Sequence, residues 1–148
     1  LSGVAAACDC GSNECKSPGY WKNHPEAWPG KCITIGSTTY YKCPAGGQLS
    51  YQDAIDIMQQ PVKGDKTYTM FDALVAAKLN ELNGCPSCKI IDTITGADRW
   101  MGKYGSVGSG VKASSDEWQK SWQYTCKCGY PSGEALYLKL DAYNNGKL

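Results

Sequence analysis

Nine cysteines, Cys8, Cys10, Cys15, Cys32, Cys43, Cys85, Cys88, Cys126 and Cys128, constrain this chain more than any other feature. Reducing pools keep cytosolic thiols from acting as structural cross-links, so this density points to an exported domain held by disulfides. A chain of 148 residues buries an adequate core without such help. The bridges are therefore expected to serve survival outside the cell, and all nine cysteines are disulfide candidates. Cys8/Cys10 and Cys126/Cys128 are each separated by one residue, too close for comfortable mutual pairing, so each is expected to reach a distant partner. The odd count leaves a free thiol, a modified thiol or a bridge between chains, and the connectivity stays open.

Charge excludes other classes. Fifteen basic against fourteen acidic residues leave a net charge of +1, no electrostatic case for nucleic acid or an anionic membrane. No apolar run approaches the ~18 residues of a membrane span. The chain opens at Leu1 with small apolar residues at 4–7, read as a mature terminus after removal of a leader. It holds ten Tyr and five Trp but one Phe, Phe71. Tyr and Trp join an apolar body to a polar tip, which suits half-buried positions and binding surfaces alike.

Local patterns place the elements. Residues 17–29 form an aromatic block broken by Pro18, Pro25 and Pro29, which allows a single helical turn. Residues 32–43 carry the strand chemistry, with Ile33, Ile35, Thr38, Thr39, Tyr40 and Tyr41. A Gly36-Ser37 turn would pair Cys32 with Tyr41. A four-residue loop over 36–39 would set Cys32 opposite Cys43 for a cross-strand bridge, and this second arrangement is preferred. Ser50-Tyr51-Gln52-Asp53 is a capping-box-like helix start, with Tyr51, Ala54, Ile55 and Met58 on one face and Pro61 as the stop. Thr69-Met70-Phe71-Asp72 repeats that signal before the clearest apolar stripe, Phe71, Leu74, Val75, Leu79 and Leu82, which Asn83-Gly84 closes. Further helices are expected over 95–103, from Ser114-Ser115-Asp116-Glu117 onward with Trp118 and Trp122 at i and i+4, and over 134–143. The sum is a mainly α, compact, disulfide-rich single domain over 1–148. It has four to five short helices, one small β-hairpin and a cysteine-rich arm over 1–16.

Some of these blocks follow a known pattern. Gly19-Tyr20-Trp21-Lys22-Asn23-His24-Pro25, followed by Trp28-Pro29, resembles the GYWKNHP…WP signature of a class of uncharacterised secreted or surface-attached microbial proteins. Ala76-Ala77-Lys78-Leu79-Asn80 with Asn83-Gly84 is similar to that class's AAKLN…NG block. Leu140-Asp141-Ala142-Tyr143-Asn144-Asn145-Gly146 is similar to its C-terminal segment. The resemblance implies an exported, compact protein of one domain. It carries over no catalytic residues.

Candidate chemistry is sparse. Cys85-Pro86-Ser87-Cys88 has C-x2-C spacing, and Cys126, Cys128 or His24 could complete a zinc set; the compartment favours oxidation instead. A redox role for Cys85 and Cys88 lacks the strand-to-helix setting that lowers a thiol pKa. His24, the single histidine, has no nucleophile elbow to serve and reads as a hydrogen-bonding core residue. The carboxylate pairs Asp53/Asp56, Asp92/Asp98 and Asp116/Glu117 read mainly as helix caps and helix-start acids rather than a glycosidase pair. Tyr20, Trp21, Trp28, Tyr40, Tyr41, Trp118 and Trp122 are the candidate binding aromatics. Core anchoring is the preferred role of Trp21 and Trp28, and strand alternation leaves one of Tyr40 and Tyr41 exposed.

The expectation is a secreted, non-enzymatic interaction or structural protein of the cell surface or matrix, without metal or cofactor. Its partner is another copy of itself, another extracellular protein or a glycan. A small carbohydrate- or host-protein-binding effector is the alternative, and a secreted hydrolase using His24 or an acid pair comes last.

Overall fold

The computed structural model describes residues 15–148. Cys8, Cys10, the residues at 4–7 and most of the predicted arm lie outside the described residues.

The chain enters through α1 (Pro18–Asn23). The Ser17 hydroxyl accepts the Tyr20 N–H at 3.3 Å, and Pro18 occupies a first-turn position whose N–H has no intrahelical partner in any case. A 3-10 turn over Pro25–Ala27 follows. Strands β1 (Cys32–Ile35) and β2 (Thr38–Tyr41) then form an antiparallel hairpin in the register Cys32↔Tyr41 to Ile35↔Thr38. The two-residue turn Gly36-Ser37 thus replaces the preferred four-residue loop, and Cys32 does not face Cys43. Gly36 takes φ +62°, and a Cβ there would lie 3.2–3.3 Å from the backbone of Gly102 and the side chain of Met101. Glycine lets the turn reverse and press onto the following helix layer.

Strand β3 (Leu49–Ser50) adds parallel to β2, and its Ser50 caps α2 (Tyr51–Met58). The capping box is complete: Ser50 Oγ accepts the Asp53 N–H at 3.2 Å and Asp53 Oδ2 accepts the Ser50 N–H at 2.7 Å. The central helix α3 (Lys66–Leu82) begins earlier than its sequence signal, because Asp65 supplies the cap by accepting the Thr67 N–H at 3.0 Å. Met70, Phe71, Ala73, Leu74, Val75, Ala76, Ala77 and Leu79 are all buried, so α3 is covered on nearly every side rather than along one stripe. Leu82, expected on the stripe, is exposed.

Helices α4 (Ile91–Tyr104) and α6 (Gly133–Asn144) pack on α3 and on each other, and α1 and β1 close its other sides. Between α4 and α6 lie the single turn α5 (Asp116–Gln119) and a second antiparallel hairpin, β4 (Trp122–Thr125) and β5 (Cys128–Tyr130).

This hairpin and β3 overturn the mainly α expectation. Helix takes 48% of the described residues and strand 13%, in six α-helices and two small sheets, a mixed α/β fold. Trp118 and Trp122 were expected on one helix, yet both bury from different elements, Trp118 from α5 and Trp122 from the start of β4. A spacing of four residues reads as helical when the chain between them is assumed regular. Here Lys120 adopts extended geometry (φ −104°, ψ 148°) and ends the helix.

Trp100 and Trp118 meet edge to face at 5.7 Å, and the Trp100 indole N–H donates to the Glu117 carbonyl at 2.9 Å. Gly133 opens α6 directly against both rings. A Cβ there would stand 2.7 Å from Trp100 Nε1 and 2.9 Å from Trp118 Cε3. Gly133→Ala is therefore expected to lower stability by about 2 kcal/mol through overpacking, although alanine is the better helix former. Thermal unfolding checks this; an unchanged or higher midpoint would contradict the packing.

Candidate functional site

The motif blocks of the sequence converge inside the fold. Asn80, fully buried, satisfies all four valences of its amide. Its Oδ1 accepts the Lys16 N–H at 2.7 Å and the Trp21 indole N–H at 3.0 Å. Its Nδ2 donates to the Lys16 carbonyl at 2.8 Å and to Asn144 Oδ1 at 2.9 Å. Asn144 Nδ2 donates in turn to the Ala73 carbonyl at 3.0 Å, and the Trp28 indole N–H to the Trp21 carbonyl at 2.8 Å. The three blocks thus share one buried polar network, and their chemistry is structural.

Most candidate binding aromatics are core residues. Trp21 and Trp28 anchor the first segment, as the core-anchoring reading has it. Tyr40, Trp118 and Trp122 are buried as well and offer no platform, because each faces the apolar interior. Tyr20 and Tyr41 are half-buried. His24 is not a core residue: 46% of its side chain is exposed, it stacks on Tyr20 at 4.4 Å, and its Nδ1 pairs with Glu26 at 3.0 Å. The intervening Pro25 and the 3-10 turn place the imidazole outside.

The acid pairs separate. Asp53 is held in the capping box and Asp56 accepts from Gln52 on the surface. Asp116 pairs with Lys120 at 3.5 Å in the open. Asp92 is exposed, whereas Asp98 lies toward β1, where it pairs with the Lys78 ammonium, which also donates to the Thr34 carbonyl. Asp98 Oδ1 accepts the Gly36 N–H at 2.9 Å, so this carboxylate positions the first turn.

Between the two hairpins, across α4, lies an open cleft of about 430 Å³ lined by Gly36, Ser37, Asp98, Arg99, Gly102, Lys103 and Tyr124. The Arg99 guanidinium sits 4.4 Å over the half-exposed Tyr124 ring and 5.6 Å from the Tyr130 ring, and it donates to the Tyr130 hydroxyl. The Lys103 ammonium lies 5.5 Å from the Trp122 ring and donates to the Gln123 carbonyl at 3.1 Å. Sequence reasoning missed Arg99, Lys103 and Tyr124. The signals were present: Arg99 and Lys103 stand at i and i+4, and Trp122 and Tyr124 share a strand period of two.

The described cysteines divide in two groups. Cys15 and the buried Cys85 are joined, clipping the chain across a separation of 70 residues, and Cys88 is disulfide-bonded as well. The C-x2-C pair is therefore not a zinc ligand pair. Cys32, Cys43 and Cys126 are exposed free thiols and Cys128 a half-buried one. Cys32 opposes Tyr41, which puts Cys43 two residues out of register with it, a diagonal of about 7–8 Å between Cα atoms and beyond ordinary disulfide reach. Cys126 and Cys128 flank Lys127 at the tip of the second hairpin.

One further group is unusual. Asp72, expected as a helix-start acid, lies within α3 with a buried Oδ1 that has no hydrogen-bond partner. Burial pushes its carboxyl up to about 7, against the pull of the Lys22 ammonium. Among the described residues no helix is long and apolar enough to cross a membrane. Compared with known proteins, the chain matches no family model, no curated protein and no solved structure.

Proposed function

We propose that this protein is an exported, non-catalytic interaction domain of a cell surface or matrix that joins to further copies of itself through the thiols of its hairpins. The observation that supports this reading is the division of the described cysteines. Those that clip the core are oxidised, while Cys32, Cys43, Cys126 and Cys128 remain unpaired at the edges of two separate hairpins. In an oxidising compartment exposed thiols do not persist, and intramolecular closure is disfavoured by register in one pair and by the single intervening residue in the other. Two reactive edges of two thiols each let one chain link to more than one neighbour. Each link forms when the thiolate of one chain attacks a mixed disulfide on the next, with glutathione disulfide supplying the oxidising equivalents and leaving as two thiols.

Non-reducing electrophoresis of the protein incubated with glutathione disulfide tests this. A ladder of multimers that collapses on reduction is expected. The double variant Cys126→Ser/Cys128→Ser, or Cys32→Ser/Cys43→Ser, should deplete the higher multimers because one edge of two thiols remains, and the triple variant Cys43→Ser/Cys126→Ser/Cys128→Ser, which keeps Cys32 alone of these four, should stop at dimers. A monomer under all conditions, or a ladder unchanged in both double variants, would refute the reading.

A further inference from the structure

Two cations line the cleft between the hairpins without an acidic partner. Asp98, the carboxylate that lines it, is neutralised by Lys78 and engaged by the Gly36 N–H. Among the described residues, neither Arg99 nor Lys103 forms an ion pair with a carboxylate; aromatic faces, a phenol and a carbonyl hold them instead. These contacts fix the direction of both side chains while leaving their charge uncompensated. The cleft therefore carries a local excess of about two positive charges on a chain that is otherwise close to neutral.

The same cleft holds a large exposed aromatic ring. Tyr124 is 50% exposed, in a chain where the other ring residues named as binding candidates are buried or half-buried. It stands on β4 next to Arg99, whose guanidinium stiffens it from one side. A flat ring beside fixed cations suits a ligand that has an apolar face and an anionic substituent on one rigid unit. A pyranose ring bearing a carboxylate or a sulfate meets both requirements: its C–H face packs on the aromatic ring, and its anion takes charge-assisted hydrogen bonds from guanidinium and ammonium. An acidic peptide offers the anions but no comparable rigid face. Opposite Tyr124, Ser37 and the Gly36-Ser37 turn add small polar groups, giving the mixture of apolar wall and few placed polar groups typical of ligand sites.

We infer that the cleft formed by Arg99, Lys103, Tyr124 and the Gly36-Ser37 turn binds an acidic sugar residue of an extracellular polysaccharide. None of the hairpin cysteines lines this cleft, so failure of sugar binding leaves the assembly reading standing, and the reverse also holds.

The test is a titration of the full chain, followed by tyrosine and tryptophan fluorescence or calorimetry. Four probes are used: oligogalacturonate, a sulfated oligosaccharide, a neutral glucan of equal length, and oligoglutamate. The acidic sugars are expected to bind at least about tenfold more tightly than the neutral glucan and the peptide. Comparing the two sugars distinguishes a carboxylate site from a sulfate site, and either result supports the inference. Affinity should fall as salt rises from about 20 to about 200 mM, because the cations are partly exposed. Tyr124→Ala and Lys103→Gln should each weaken acidic-sugar binding by about tenfold at unchanged thermal midpoint. Arg99 also pins the second hairpin, so Arg99→Lys is the variant of choice there; it keeps the charge and loses the planar fork. Oligoglutamate binding as tightly as the acidic sugars, with Tyr124→Ala silent, would make this an acidic-peptide site and overturn the inference. Absence of binding by all four probes would do the same.

Discussion

Replacing Asn80 by alanine is expected to lower unfolding stability by about 4 kcal/mol, the sum of several orphaned buried groups rather than one lost contact. The substitution removes the acceptor of the Trp21 indole N–H and of the Lys16 N–H, and the donor to Asn144 Oδ1 and to the Lys16 carbonyl. Each partner left unpaired away from water costs about 1–3 kcal/mol, tempered by whatever the cavity admits. Asn80→Asp separates the two halves of the amide. It preserves the acceptor toward Trp21 but sets an anion against Asn144 Oδ1 and a carbonyl, and is expected to destabilise at least as much at pH 7. Urea unfolding of both variants, followed by tryptophan fluorescence, is the check. A loss below about 1 kcal/mol in Asn80→Ala would mean the network does not hold the blocks together.

Asp72 gives the second large effect, and its sign runs against the usual behaviour of carboxylates. Its folded-state value is raised from 3.8 to about 7, so the folded chain holds this proton more tightly than the unfolded chain. The contribution to stability is greatest below the ordinary carboxylate value. It falls as pH rises from about 4 to about 7 and is flat above. Lys22 on α1 pulls the value down, while Tyr137 on α6, its phenol raised first by its own burial and then by Asp141 and Asp72, faces the same carboxylate. Asp72→Asn keeps the shape and removes the charge. At pH 8 it is expected to stabilise the protein by about 2 kcal/mol, below the ~4 kcal/mol that a shift of this size implies for a fully enclosed group. At pH 4 the gain should vanish. Denaturant midpoints of both proteins across this range are the measurement; a wild-type stability that climbs between pH 5 and 8 relative to the variant would contradict the assignment.

The parts of the fold legible in sequence were those set by local chemistry. Ser50 and Asp53 form the capping box their spacing indicates, and Asn83-Gly84 ends α3 with Gly84 at φ +96°. What escaped was decided by distant partners. The start of α3 shifts to Lys66 because Asp65 caps it while also accepting the Gly110 N–H from forty-five residues on, and that shift turns Asp72 from a helix-start acid into a group enclosed in the middle of the helix. The Cys32 register follows the two-residue turn, which Asp98 on a helix sixty-two residues away secures through the Gly36 N–H. The aromatic candidates misled for a related reason. Tyr and Trp at half-periodic positions look like a surface, but burial is set by tertiary packing, and Tyr40, Trp118 and Trp122 all turn inward. Tyr124 carried no stronger local signal than they did, and only the packing of β4 against α4 distinguishes it.

Peptide mapping of the native protein, alkylated before any reduction, tests most directly whether an oxidised core leaves hairpin thiols for neighbouring chains. The expected map links the Cys15 peptide to the Cys85 peptide in every species, and links among Cys32, Cys43, Cys126 and Cys128 in multimers alone. Alkylated Cys15 and Cys85, or multimers in which all four hairpin thiols are alkylated, would contradict it.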